Sequence, residues 1–339
     1  VGRGDLSQTV DEILARYGFD EARFDELRER VASGELSKES NYVRGELEPL
    51  RDDELVELPE EAEADLDGVA VAVLNGGMAT RFGGAVKGLV EAVDGVCFLD
   101  WKLRDAERAG VPFVLMNSFA TDEETRRHLG DRDDVVVFSQ SVLLRLTPEG
   151  ELFPGPSPYS PGHGDFAVHA PIDELRARGI RTLMLSNVDN LAARPDPRVL
   201  AAHRAAGNPV TIEVTVVEGD PGGAPVRVNG RPQVVEGFRF PPAFDPHTLP
   251  IFSTNSLVIE VDALAQDFPL TWLYVEKDVD GGKAVQLERL VNELSAFLPT
   301  TYLVVPRHGT KSRFVPVKTP EDFERARPLL RELLATPLF

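Results

Sequence analysis

Cysteine is almost absent: Cys97 stands alone in 339 residues. That excludes an intramolecular disulfide framework and a multi-cysteine zinc site, and it fits a reducing compartment. No apolar stretch is long enough to span a bilayer. The opening Val1-Gly2-Arg3-Gly4-Asp5 carries no secretory h-region, so a cytoplasmic protein is expected. Internal repeats and low-complexity tracts are also missing. Basic residues are scarce, 36 Lys+Arg against 56 Asp+Glu for a formal charge of −20, which argues against nucleic acid as a partner. The deficit is unevenly spread. Between Glu46 and Asp67 eleven acidic residues face one basic residue, Arg51, so half of the excess charge sits in one short, solvated segment.

What is present fits an ordinary globular chain, with 42% hydrophobic and 27% charged residues. Its length suits one large domain or two to three smaller ones. Leu6, Val10, Ile13 and Leu14, then Phe24, Leu27 and Val31, recur at helical spacing in the first forty residues. After the acidic connector, Val69–Leu74 is a continuous apolar run, as expected of a strand buried on both faces. Strands are expected over 111–116, 135–138 and 182–186, alternating with helices over 98–108, 122–129 and 172–178. That alternation predicts an α/β doubly wound sheet, with ligands at the carboxyl ends of its strands. From about Pro209 the pattern turns antiparallel, with strands at 210–217, 234–235, 257–261 and 302–305. A helix is expected over 284–297 and another over 320–334. Three parts follow: 1–68, 69–208 and 209–339.

The strongest chemical feature is Leu74-Asn75-Gly76-Gly77-Met78-Ala79-Thr80-Arg81-Phe82-Gly83-Gly84-Ala85-Val86-Lys87-Gly88, directly after the first buried strand. Glycines there let a backbone approach phosphate oxygens and present successive N–H groups. Arg81 and Lys87 add positive charge, and no acidic residue lies between Asp67 and Glu91. The spacing is neither Walker A nor Gly-x-Gly-x-x-Gly. Taken alone, it also describes a tight glycine turn with solvated basic side chains. Ser160-Pro161-Gly162-His163-Gly164-Asp165 and Ser186-Asn187-Val188-Asp189-Asn190-Leu191 are likewise turn-rich by themselves.

In company, these segments resemble the UDP-glucose pyrophosphorylase family of sugar-1-phosphate uridylyltransferases and its UDP-N-acetylhexosamine relatives. The glycine loop resembles the family's nucleotide-binding loop, with Ala79 where a third glycine is usual and Val86 where a proline often precedes the lysine. Phe113–Phe119, Phe138-Ser139-Gln140, the Pro-Gly-His-Gly-Asp stretch and Asn187-Val188-Asp189-Asn190-Leu191 follow in family order. So do Phe252–Leu257, Glu276–Gly282 with Gln286-Leu287-Glu288, and Arg307–Lys318. The resemblance covers roughly residues 42 to 325 and resembles a short form without the C-terminal β-helix of eukaryotic members. It implies a nucleotidyltransferase fold, a GT-A-like Rossmann-type mixed sheet with an antiparallel sugar-binding subdomain.

The implied chemistry is transfer of a uridylyl group from UTP to a sugar 1-phosphate with release of pyrophosphate. Lys87, Lys277 and Asp189 are the implied catalytic residues, with Asp189 also holding Mg²⁺. Asn75, Gly76, Gly77, Thr80, Arg81, Gln140, Gly162 and Gly164 would bind the nucleotide, Gln140 at the uracil edge. His163, Asn187, Glu236, Asn255, Arg313 and Lys318 would bind the sugar phosphate. The expected partners are these small molecules, with no membrane, in a monomer or small homo-oligomer. An N-acetylhexosamine 1-phosphate as substrate, or a non-catalytic UDP-sugar sensor, are the alternatives these residues leave open.

Overall fold

The computed structural model describes residues 9–79, 84–155, 157–219, 222–279, 282–317 and 319–338. Thr80, Arg81 and Lys318 lie outside the described residues. A mixed eight-stranded sheet forms the frame. Its strands are β1 (Leu55–Glu57), β2 (Val69–Asn75), β3 (Phe113–Asn117) and β4 (Val135–Ser139). They continue with β5 (Thr182–Asn187), β6 (Val210–Val216), β7 (Ile251–Glu260) and β8 (Thr300–Val304). The spatial order is β1-β8-β6-β7-β5-β2-β3-β4. Every neighbouring pair is parallel except those made by β7. Strands from all three expected parts of the chain share this sheet.

Both faces of the sheet are covered, which explains the unbroken apolar run of β2. Val71 and Val73 pack under the Phe98–Ala109 and Pro320–Ala335 helices, while Ala70, Ala72 and Leu74 face Phe166 and Leu175 on the other side. Full burial of residues such as Phe98 and Leu330 is worth roughly 1.5–3 kcal/mol each. These helices start and stop where local chemistry dictates. Gly110, at φ 69°, ends the first in the left-handed conformation. Thr319 and Asp322 form a capping box at the start of the second, with Pro320 at its first position.

The register brings the chemistry-bearing ends together. Asn187 pairs with Leu74, Asn75 with Asn117, and Asn117 with Ser139. From β2 the chain moves to β3 and β4 on one side, then returns to place β5 on the other. The crevice between β2 and β5 is therefore a topological switch point, where ligands of open α/β sheets bind. Smaller antiparallel units flank the frame: a Leu47–Pro49, Ala224–Val228, Arg231–Val235 sheet and a Leu273–Val279/Gly282–Glu288 hairpin.

One expected element is replaced. The helix expected over 284–297 is a strand, Gly282–Glu288, then a 3₁₀ turn and a single helical turn, Leu294–Phe297. Ala284, Leu287, Val291 and Leu294 are all buried, and their spacing mimics a helix. Val285 and Leu287 instead follow strand alternation, packing with Phe24, Leu27 and Val31 of the N-terminal Glu21–Ala32 helix. Among the described residues, no helix is long and apolar enough to cross a membrane.

Candidate active site

Asn75 ends β2 fully buried, and it works inward. Its amide donates to Asn117 Oδ1 at 2.8 Å and to Thr125 Oγ1 at 3.1 Å. Asn117 in turn donates to Asp122 at 3.0 Å. The polar chain anchors the start of the glycine loop to β3 and the helix after it. Gly76 comes next and leaves room for the Gln140 amide: a Cβ there would stand 2.4 Å from Gln140 Oε1 and push that side chain aside. Gln140 donates its amide to the Gly162 carbonyl, so it bridges the first glycine loop and the Pro-Gly-His-Gly-Asp loop. Gly77 accepts from the Lys87 backbone at 3.2 Å, folding the lysine back over the crevice.

There Lys87 Nζ forms an ion pair with Asp189. Asp189 follows β5 on a loop tied at several points. Val188 donates to the Leu74 carbonyl at 3.2 Å, and the Asn190 side chain donates to Arg313 O and accepts from Val315 N. The loops after β2 and β5 are thus joined by a cation–carboxylate contact.

Beside this pair opens a cavity of about 160 Å³ lined by His163, Asn187, Asp189, Glu236, Asn255 and Asn292, among others. That is smaller than the roughly 300–1,000 Å³ of whole-ligand pockets, and suits one part of a ligand. His163 Nδ1 accepts from Val291 N at 3.1 Å, and burial lowers the imidazole pKa to about 4. The ring is therefore neutral, with its proton on Nε2 as a donor. Glu236 accepts from Asn292 at 3.1 Å, and burial raises its pKa.

Asn255 owes its place to a bulge. The β6–β7 register shifts between Ile212 and Val214, leaving three β7 residues opposite Glu213, and Asn255 takes a left-handed φ of 57°. Its amide donates to Asn187 Oδ1 at 2.9 Å, while its own buried Oδ1 has no hydrogen-bond partner. One N–H donor, a carboxylate and an unmatched amide oxygen form a set able to hold hydroxyl groups.

Other expected residues sit elsewhere or serve other ends. Gly162 and Gly164 press against the Arg289–Leu290 backbone: a Cβ on Gly164 would lie 2.5 Å from Arg289 C. Arg313 is buried, its guanidinium forked onto Glu213 at 2.6 and 2.7 Å and also bonded to Asp196 and Arg194 O. Lys277 stands on the Leu273–Val279 strand, half-exposed, paired with Glu288 at 3.3 Å; it does not line the cavity. The largest of the described cavities, about 680 Å³, lies between the N-terminal helices and the Phe268–Trp272 segment and contains none of the expected site residues.

Several contributors escaped sequence reasoning. Asp165, fully buried, accepts from Ser141 N at 2.8 Å, Ser141 Oγ at 2.7 Å and Arg289; its place in the Pro-Gly-His-Gly-Asp stretch was the available signal. Lys102 is buried and donates to Ser186 Oγ at 3.0 Å and Ala193 O at 2.7 Å. It spans both ends of the Asp189 loop. Burial pulls its pKa down to about 7. Its signal was a lysine on the face shared by Leu99, Leu103 and Ala106.

Comparison with known proteins gives a consistent result. A family model described as UTP--glucose-1-phosphate uridylyltransferase matches residues 22–334. A UTP--glucose-1-phosphate uridylyltransferase from Musa acuminata is 30% identical over 366 residues, covering 92% of this chain and 77% of the relative. One from Hordeum vulgare is 29% identical, covering 89% and 74%. A crystal structure of a variant UDP-glucose pyrophosphorylase from Leishmania major in complex with UDP-Glc superposes with a TM-score of 0.76 at 26% identity. It covers 90% of this chain and 74% of that one.

Proposed function

Since the chain belongs to the UTP--glucose-1-phosphate uridylyltransferase family, we propose that it is a nucleotidyltransferase making UDP-glucose and pyrophosphate from UTP and glucose 1-phosphate. The observation that carries this reading is the Lys87–Asp189 pair at the β2–β5 switch point, beside a cavity equipped for hydroxyls. A phosphate oxygen of glucose 1-phosphate attacks the α-phosphorus of UTP. The bond from that phosphorus to the bridging oxygen breaks, and pyrophosphate leaves with the electron pair. The nucleophile is already anionic at neutral pH, so no general base is required.

The difficulty is electrostatic: two polyanions must meet. Unit charges about 4 Å apart at an effective dielectric of about 20 interact by roughly 4 kcal/mol, so one well-placed cation offsets much of the repulsion. Lys87 meets the charge developing around the α-phosphorus. The carboxylate of Asp189 is the group that would hold Mg²⁺, which takes hard oxygen donors and is commonly bound by one or two carboxylates plus substrate phosphates. When bound, the ion supplies charge neutralisation between the two substrates.

The remaining residues position. Gln140, fixed between Gly76 and Gly162, places an amide where the loops meet and is assigned to the uracil edge. His163 Nε2–H, Glu236 and Asn255 Oδ1 are assigned to sugar and phosphate oxygens. Lys277, now paired with Glu288 on the Leu273–Val279 strand, is assigned to the sugar phosphate, for which it would leave that carboxylate. Arg313 is assigned a positioning role, holding the Asn190 segment against β6. A cytoplasmic location fits the single cysteine, Cys97.

A pyrophosphate-release assay with UTP, Mg²⁺ and a panel of sugar 1-phosphates tests this. Glucose 1-phosphate is expected to be the best acceptor. Preference for N-acetylglucosamine 1-phosphate, or binding of UTP without pyrophosphate release, would overturn it.

A further inference from the structure

Away from the crevice, three side chains of different chemistry converge. Cys97 caps the start of the Phe98–Ala109 helix, Asp100 lies in its first turn, and His128 lies in the last turn of the Phe119–Leu129 helix. The Cys97 Sγ, an Asp100 carboxylate oxygen and a His128 ring nitrogen all lie within 4.8 Å of one another. His128 Nε2 sits 2.8 Å from Asp100 Oδ1, and Asp100 N donates to Cys97 Sγ at 3.4 Å. The sulfur is buried, while the His128 and Asp100 side chains are 38% and 36% exposed. A soft donor therefore forms the floor, and two harder donors open toward solvent.

We propose that Cys97, Asp100 and His128 form a binding site for a zinc-class divalent cation, with water as the fourth ligand. Sulfur, imidazole and carboxylate are the donors that tetrahedral zinc takes. With Zn–S near 2.3 Å and Zn–N near 2.0 Å, tetrahedral donors stand about 3.5 Å apart. The present spacing needs Cys97 Sγ to close by at most about 1.3 Å and the His128–Asp100 hydrogen bond, now 2.8 Å, to open by about 0.7 Å. A thiolate selects against Mg²⁺, which separates this site chemically from Asp189.

The competing reading, a reactive cysteine, fits less well. The sulfur is buried beside the Asp100 carboxylate, whereas reactive cysteines lie in electropositive, partly exposed surroundings. Coordination releases the thiol proton to solvent and leaves the sulfur as thiolate. An ion here would tie the start of one helix to the end of the next. It would also brace the Glu91–Val93/Val96–Cys97 hairpin, which follows Lys87 in the chain and is joined through Phe98 N to Val90 O at 3.2 Å.

Cobalt is the probe. The chelator-treated full chain is titrated with Co²⁺ in excess Mg²⁺, while the near-ultraviolet thiolate-to-cobalt charge-transfer absorption is followed. One equivalent is expected to develop the band, with zinc displacing it. Cys97→Ser is expected to lose it. His128→Gln, an exposed substitution that leaves the fold intact by circular dichroism, is expected to weaken affinity by roughly tenfold or more, since even outer-shell losses cost 10–100-fold. Absence of the band in the wild type, or unchanged cobalt affinity in His128→Gln, overturns the proposal.

Discussion

Replacing Lys102 by methionine isolates what a buried ammonium costs and what it holds. Methionine keeps the unbranched apolar stem but removes the donors to Ser186 Oγ and Ala193 O. Two buried acceptors left unmatched cost about 1 kcal/mol each at the low end of the usual range. Against this stands the cost of burial, which lowers the lysine pKa from 10.5 to about 7. At 1.36 kcal/mol per unit, that is on the order of 5 kcal/mol against the charged form. The unfolded chain binds this proton below about pH 10.5 and the native protein only below about pH 7. Between those values the unfolded state carries more protons, so wild-type stability rises with pH relative to the variant, by up to about 1.4 kcal/mol per unit. The variant should therefore be the more stable protein near pH 7.5 and the less stable one near pH 10, crossing at about pH 9. Urea unfolding of both proteins at several pH values, without divalent cation, measures the difference directly. Parallel pH profiles for the two proteins would refute the reasoning.

Other perturbations follow from single contacts. Arg313→Met removes the fork on Glu213 and leaves a buried carboxylate without that cation, so a loss of about 3–5 kcal/mol is expected in denaturant unfolding. An unchanged midpoint would show that the fork is not a stabilising contact. Gly164→Ala drives a methyl into the Arg289–Leu290 backbone, and overpacking of this kind typically costs about 1–3 kcal/mol. Its melting temperature should fall while secondary structure persists. Asn255→Ala removes the unmatched amide oxygen and the contact to Asn187, and is expected to raise KM for the sugar 1-phosphate more than KM for UTP. Equal changes in both would contradict the placement of the sugar in that cavity.

Much of the frame was readable because it is local chemistry. The unbroken apolar run of β2 matches a strand covered on both faces, and the helical spacing over 98–108 and 320–334 matches two helices that cover one of them. The exchange of a helix for a strand at Gly282–Glu288 was not readable, because the buried Ala284–Leu287 stretch and the buried turn after it give apolar spacing close to helical. At the site, residue type and order pointed to Lys87, Asp189, His163 and Asn255, which the fold gathers at one crevice and its cavity. Partnership was hidden. That Arg313 faces Glu213, that Asn75 turns inward, and that a three-residue bulge turns Asn255 out of the ladder depend on contacts between segments distant in sequence.

Lys87 acting on charge at the α-phosphorus is the central requirement of the proposed reaction. The most direct measurement is steady-state pyrophosphate release from UTP and glucose 1-phosphate by the wild type and by Lys87→Ala, with folding checked by thermal melting. Removal of one preorganised charge-stabilising donor typically costs about 10²–10³ in kcat. A loss of that size with an unchanged melting profile is the predicted result. Near-normal turnover by the folded variant would contradict it.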